Sequence, residues 1–191
     1  MSAASLRKPS ARDRLLAAAD ELFYAEGVHT VGIDRIIERA GVAKASLYSS
    51  FGSKDELVRA YLEGRHEIRR SRLLAGLERF DNPRDRLLGV FDILAELAGT
   101  PGFRGCAFYN ASAESGPGGP IEEVSTANRA WTRGLFTELA REAGAADPAT
   151  LAAQLVILYD GSTVGGRMDQ SSAAARTARS IAATLLAAAT A

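Results

Sequence analysis

Between Arg12 and Leu57 the chain keeps a helical apolar rhythm and twice breaks it with glycine, so any fold must bring short helices together at sharp turns. In ARDRLLAAADELFYAEG, Leu15, Ala18, Ala19, Leu22, Phe23 and Ala25 recur at three- and four-residue steps, the stripe of an amphipathic helix that Gly27 ends. Ser10 stands where a hydroxyl caps unpaired amides, and Pro9 disfavours helix before it, which leaves the preceding residues as a loose arm. A shorter helix is expected over residues 33–40, with Ile36, Ile37 and Ala40 apolar and Gly41 as its stop. One turn later AKASLYSSF forms another, Leu47 and Phe51 inward and Lys44, Ser46, Tyr48 and Ser50 outward. Ser53 and Glu56 have the spacing of a capping box, and a long helix is expected to follow through ELVRAYLEGRHEIRRSRLLAGL.

The rest of the chain continues in the same manner. Pro83 opens a helix with Leu87, Leu88, Phe91, Leu94, Ala95 and Ala98 on its buried side, and GTPGFRG breaks it. CAFYNASAE reads as a short helical piece and SGPGGP, Ser115 to Pro120, as a loop. Three longer helices are expected over about residues 121–143, 148–167 and 172–189. No strand pattern and no internal repeat is found, so the fold class is all-α.

At 191 residues the chain can bury roughly 70% of its unfolded surface, enough for a sizeable core. A hydrophobic fraction of 47% and a charged fraction of 24% are ordinary globular values. No segment has the apolar length of a membrane span, and the N-terminus does not have the form of a secretory signal, so a cytoplasmic location is expected. The single cysteine, Cys106, excludes an intramolecular disulfide and a multi-cysteine zinc site. The net charge of zero hides an asymmetry: residues 1–80 carry 14 basic against 11 acidic side chains, and residues 81–191 carry 9 against 12. That is the sign expected if the front half meets a polyanion.

Two short helices joined by a glycine turn and backed by a third make a helix-turn-helix, whose second helix lies in a DNA major groove. Lys44 suits a phosphate or a guanine edge, Ser46 a base or phosphate, and Tyr48 the backbone, while Ala45 permits close approach. Thr30 stands just before the first short helix and Lys54 begins the long one, both within reach of phosphate. Taken alone, a hydroxyl-rich helix with one lysine is more often a solvated face than a DNA reader, and the order of the whole segment is what favours DNA.

The segment RLLAAADELFYAEGVHTVGIDRIIERAGVAKASLYSSFGSKDELVRAYL resembles the TetR family of bacterial transcriptional regulators. Its counterparts of Phe-x-x-x-Gly, Ile-x-x-x-Ala-Gly-Val and Leu-Tyr-x-x-Phe-x-x-Lys stand in the family's order. The resemblance implies a DNA-binding domain over residues 10–53 and a helical ligand-binding and dimerisation domain over residues 54–191, about nine helices in all. It implies DNA contacts at Thr30, Lys44, Ala45, Ser46, Tyr48, Ser50 and Lys54. Gly32 replaces the Ser or Thr cap of many members, and the recognition helix is poor in long side chains, so affinity is expected to lean on phosphates and dimer spacing.

RGCAFYNASAE resembles the Gly-Cys-x-x-x-Asn segment of one branch of the family, which lies along the ligand-binding core. Asn110 offers an amide to orient a small molecule in an apolar setting. Phe91, Phe103, Cys106, Tyr109, Trp131, Phe136 and Tyr159 are candidate cavity walls, though most of them are expected to be ordinary core. Cys106 reads either as a buried small hydrophobe or as a reactive thiol helped by Arg104. The Ala-, Leu- and Gly-rich last two helices permit close approach, and in the family the corresponding pair forms a four-helix bundle across a twofold axis.

The expected partners are thus a double-stranded DNA operator, a small-molecule inducer and a second copy of the chain. No cofactor, metal or membrane is expected. His29 and His66 fall outside metal-ligand spacings and read as solvated, GPGGP is not a phosphate cradle, and ERAG and EIRR read as exposed charged faces. An all-α enzyme and a helical protein-interaction module are the alternatives. The second is separated from DNA binding by its insensitivity to salt.

Overall fold

The computed structural model describes residues 9–191 and, among these, nine helices and no strand. They are α1 (Ala11–Glu26), α2 (Ile33–Ala40), α3 (Lys44–Phe51), α4 (Lys54–Leu77), α5 (Pro83–Ala98), α6 (Ala107–Glu114), α7 (Gly119–Glu142), α8 (Pro148–Asp169) and α9 (Ala173–Ala189). The arm expected before Pro9 lies outside the described residues.

The helix boundaries follow from capping. Ser10 Oγ accepts from the Asp13 amide and the Asp13 carboxylate accepts in return from the Ser10 amide, each at 3.1 Å, a closed capping box. At Ser53 only the hydroxyl half forms: its Oγ accepts from the Glu56 amide, whereas the Glu56 carboxylate lies 3.2 Å from Arg59. α2 and α3 start at Gly32 and Ala43 without a side-chain cap. Between them Gly41 is left-handed, φ 62° and ψ 46°, which lets its amide turn back to the last carbonyls of α2. The SGPGGP segment differs from the sequence reading at its end. Gly119 and Pro120 are already the first turn of α7, where a missing N–H costs nothing because the first amides of a helix have no internal acceptor.

Two apolar clusters hold the chain together. One joins α1–α3, through Leu15, Phe23, Ile36 and Leu47, to Leu57, Val58, Tyr61 and Leu62 of α4 and to Phe108 and Ala111 of α6. The other joins Leu73 and Leu77 of α4 to α5, α7, α8 and α9 around Phe91 and Phe136. Packing therefore does not divide at residue 53: α4 gives its first half to one cluster and its last turns to the other. α6 is clipped onto the N-terminal helices as well. Tyr24 Oη accepts from the Arg104 amide at 2.9 Å and lies 3.2 Å from the Gly105 carbonyl, and the His29 amide donates to Glu114 at 2.8 Å. α8 and α9 approach so closely that a Cβ on Gly165 would sit 2.7 Å from the Ala174 methyl carbon. Among the described residues no helix is long and apolar enough to cross a membrane.

Candidate nucleic-acid interface and ligand cavity

α3 is fixed from behind and bare in front. Leu47 is fully buried, Phe51 is half-buried with the Arg12 guanidinium 4.9 Å from its ring, and the Arg14 guanidinium donates to the Gly41 carbonyl at 3.2 Å, pinning the turn. The arginines of α2 serve the scaffold: Arg39 forks onto Glu21 at 2.8 Å, and Arg35 pairs with Glu26. The exposed face of α3 carries Lys44, Ala45, Tyr48 and Ser49, with Tyr48 46% accessible. Ser46 and Ser50 are half-buried at its flanks, and Thr30 is exposed in the turn before α2. Lys54 is half-buried, its Nζ 6.0 Å from the Phe23 ring centroid, at the junction of α1 and α4. Of the expected contacts the structure therefore brings Thr30, Lys44, Ala45 and Tyr48 to the open surface. It adds Ser49, which sequence reasoning had passed over.

Lys44 is held by Asp34 of α2, with Nζ 3.0 Å from the carboxylate. That hydrogen bond, and then the carboxylate charge, raise the ammonium's pKa above its ordinary value. Both side chains are open to solvent, so the pair adds little to stability and can exchange its carboxylate for a phosphate.

The second site is a cavity of about 460 Å³ between α4, α6, α7 and α8, within the range of small-molecule sites. Cys106, Tyr109 and Tyr159 of the expected set line it. Phe91, Phe103 and Phe136 lie in the core instead, with the rings of Phe91 and Phe136 5.8 Å apart. Trp131 is half-buried, its ring meeting His66 edge-on at 5.4 Å. Asn110 acts as a clip, donating to the Arg104 carbonyl at 3.0 Å and accepting from Arg167, and borders a smaller cavity of about 200 Å³ with Cys106 and Tyr109. Arg104 reaches the Ala25 carbonyl at the end of α1, a favourable place for a cation.

The polar walls were not anticipated. Arg69 of α4 donates to Asn128 Oδ1 at 2.7 Å and to Thr132 Oγ1 at 2.8 Å, both on α7. The same Oδ1 lies 3.0 Å from His66 Nδ1; because arginine can only donate, the amide oxygen must face it, and His66 Nδ1 must carry a proton. The sequence reading of His66 as solvated is therefore corrected, and that of EIRR as an exposed face is corrected at Arg69 alone: His66 and Arg69 turn into the bundle, against Trp131 and Phe108, while Glu67, Ile68 and Arg70 are exposed. Burial pushes the Tyr159 phenol up, and the nearby Arg69 charge opposes that shift. Across the cavity Arg129 is paired with Asp160 at 2.6 Å. Among the described residues no group of three or more His, Cys, Asp or Glu is placed to hold a metal ion.

Residues 15–61 match the model of the bacterial regulatory proteins of the tetR family. Along almost the whole chain the structure resembles two solved ones. A TetR-family transcriptional regulator from Streptomyces coelicolor is 35% identical, with a TM-score of 0.88 over 95% of this chain and 96% of that one. A TetR-type regulator from Streptomyces avermitilis is 34% identical, with a TM-score of 0.85 over 95% of this chain and 98% of that one. Among curated proteins, the HTH-type transcriptional activator FasR of Mycolicibacterium smegmatis is 47% identical over 58 residues, 30% of this chain and 26% of that protein. This chain thus spans only about a quarter of that relative's length. The relatives found are transcriptional regulators and not enzymes. On the strength of the helix-turn-helix match and of full-length likeness at more than 30% identity, the chain belongs to the TetR family of DNA-binding transcriptional regulators.

Proposed function

We propose that the protein acts in the cytoplasm as a homodimeric repressor, released from a double-stranded operator when a small molecule fills the cavity between α4, α6, α7 and α8. The observation that carries this reading is the placement of α4: it starts two residues after the recognition helix ends and, farther along, supplies Arg69 to the cavity wall. A ligand touching Arg69 thus acts on the helix that positions α3, and by linkage its differential affinity for the two dimer geometries sets how far DNA affinity falls.

DNA contacts are assigned to Thr30, Lys44, Ala45, Tyr48 and Ser49, with Ser46, Ser50 and Lys54 at the margin. Ligand contacts are assigned to Cys106, Tyr109, Tyr159, Arg69, Asn128 and Thr132. Dimerisation is supported by the face of α8 and α9 that a single chain leaves bare. Ile157, Val164 and Met168 stand seven and four residues apart along one face of α8, and α9 adds Ile181, accessible at 70%, 37%, 77% and 44% respectively. A twofold axis there would present two α3 helices to half-sites about one helical turn apart. Val164 also lines the cavity, so the subunit contact and the ligand share a helix.

Selection of bound duplexes from a random pool tests the reading. An enriched palindrome bound by a dimer, with affinity lost in Tyr48→Ala and Lys44→Ala at unchanged melting temperature, is the expected result; no enrichment, or full binding by both variants, refutes it. Repression as opposed to activation is read from transcription in vitro on the selected site.

A further inference from the structure

We propose that the cavity takes a molecule with an apolar body and one anionic oxygen group, a carboxylate or equivalent oxyanion, which pairs with Arg69. The inference rests on the reading of this cavity as the ligand site, and adds the chemistry of what enters it.

The observation is an uncompensated cation. Arg69 is half-buried, its Nη2 held by two neutral acceptors, Asn128 and Thr132, and its Nε is out of solvent with no acceptor among the described residues. Its guanidinium lies 5.4 Å from the Trp131 ring centroid and 5.9 Å from that of Phe108. Among the described residues no carboxylate pairs with it, whereas other cations of the same bundle are neutralised: Arg65 by Asp20 at 2.5 Å, Arg59 by Glu123 at 2.7 Å, Arg129 by Asp160 at 2.6 Å and Arg179 by Asp92 at 2.8 Å. Of the three charged groups on the walls, Arg129 and Asp160 cancel, so one positive charge is left over.

A half-buried guanidinium has already lost much of its hydration, and the described residues give it hydrogen bonds but no counter-charge. An entering anion meets a donor fork already oriented by Asn128 and Thr132, in surroundings that screen the pair less than bulk water does. Phe108, Val156 and Val164 supply apolar wall for the remainder of the ligand, which excludes a bare inorganic anion as the best fit. A cation is repelled, and a neutral amide of the same shape keeps the hydrogen bond but loses the charge.

The test compares 4-phenylbutanoate, 4-phenylbutanamide and 4-phenylbutylammonium on the full chain by calorimetry. Trp131, the single tryptophan, serves as a fluorescent reporter beside Arg69. The butanoate is expected to bind about tenfold or more tighter than the amide, as a charge-assisted bond exceeds a neutral one, and the ammonium weakest of all. Arg69→Met should erase the difference between butanoate and amide, with the butanoate losing more affinity than the amide, which loses only its hydrogen bond. Arg69→Lys should keep part of it and, should the Met variant fail to fold, decides together with the wild-type comparison. Equal binding of butanoate and amide, a preference that survives Arg69→Met, or no binding of any of the three at millimolar concentration overturns the inference. Operator release is measured separately. Release by the amide as readily as by the butanoate leaves ligand control standing without the anion, whereas an Arg69-dependent preference without release leaves the anion site standing without ligand control.

Discussion

Lys44 and Arg69 are the cations that the proposed reading gives to a DNA phosphate and to a small ligand, and the fold holds them in opposite ways. Lys44 stands in solvent with a carboxylate of its own, Asp34, at 3.0 Å. Arg69 is withdrawn among Asn128, Thr132 and two aromatic rings, with no acid paired to it among the described residues. An exposed pair is hydrated and screened, so exchanging one anion for another there is nearly neutral and sensitive to salt. A half-buried cation with neutral neighbours is poorly hydrated whether or not an anion is present, so an arriving anion gains more and salt matters less. The first arrangement suits a long polyanion gripped at many points, the second a single small molecule.

That contrast can be broken by salt. If the dimer makes about six phosphate contacts, DNA affinity should fall roughly a thousandfold between 50 and 200 mM salt. Affinity for 4-phenylbutanoate should change by only about threefold over the same range, both measured by fluorescence titration. A ligand affinity as steep as that for DNA would make Arg69 a surface charge in all but position. Lys44→Ala should weaken operator binding roughly tenfold or more and lower the salt slope by about one per recognition helix, with the melting temperature unchanged. Thr132→Val removes one of the two neutral acceptors from Arg69. It should destabilise the fold by about 1–2 kcal/mol in urea unfolding, with saturating 4-phenylbutanoate recovering more of that loss than the amide does. The smallest effect is expected from Asp34→Asn, which frees Lys44 without altering its position: DNA affinity should rise about two- to fivefold and discrimination against random duplex should narrow. Weaker binding by Asp34→Asn would mean that Asp34 positions the lysine and does not compete with phosphate.

The helix order and the capped starts at Ser10 and Ser53 were legible in the chain because capping and apolar spacing act over four or five residues. The outer face of α3 was legible only in part. Lys44, Ser46, Tyr48 and Ser50 alternate along the sequence, but a helix advances about 100° per residue, which places Ala45 and Ser49 opposite the buried Leu47 and moves Ser46 and Ser50 to the flanks. The cavity was hardly legible, since its walls come from four helices separated by long stretches of chain. Aromatic side chains marked it only in part: Tyr109 and Tyr159 line it, whereas Phe91 and Phe136 obey the same apolar rule as any core residue. The available signal was Asn128 and Thr132, two polar residues one turn apart beside Trp131 on an otherwise amphipathic helix, facing an arginine-rich segment of α4.

α4 gives these two cations a shared geometry. Arg69 lies ~15 residues beyond Lys54, about 22 Å along the axis at 1.5 Å per residue. If the helix tilts by roughly 5° about the level of Arg69, simple trigonometry over that arm moves its first turn, and α3 with it, by about 2 Å. In a twofold dimer the two recognition helices move in opposite senses, so their separation changes by up to about 4 Å, while a hydrogen bond tolerates only about half an ångström. In the proposed dimer the long arm would convert a displacement at the cavity too small to disturb core packing into one that two half-sites at fixed spacing could not both accommodate.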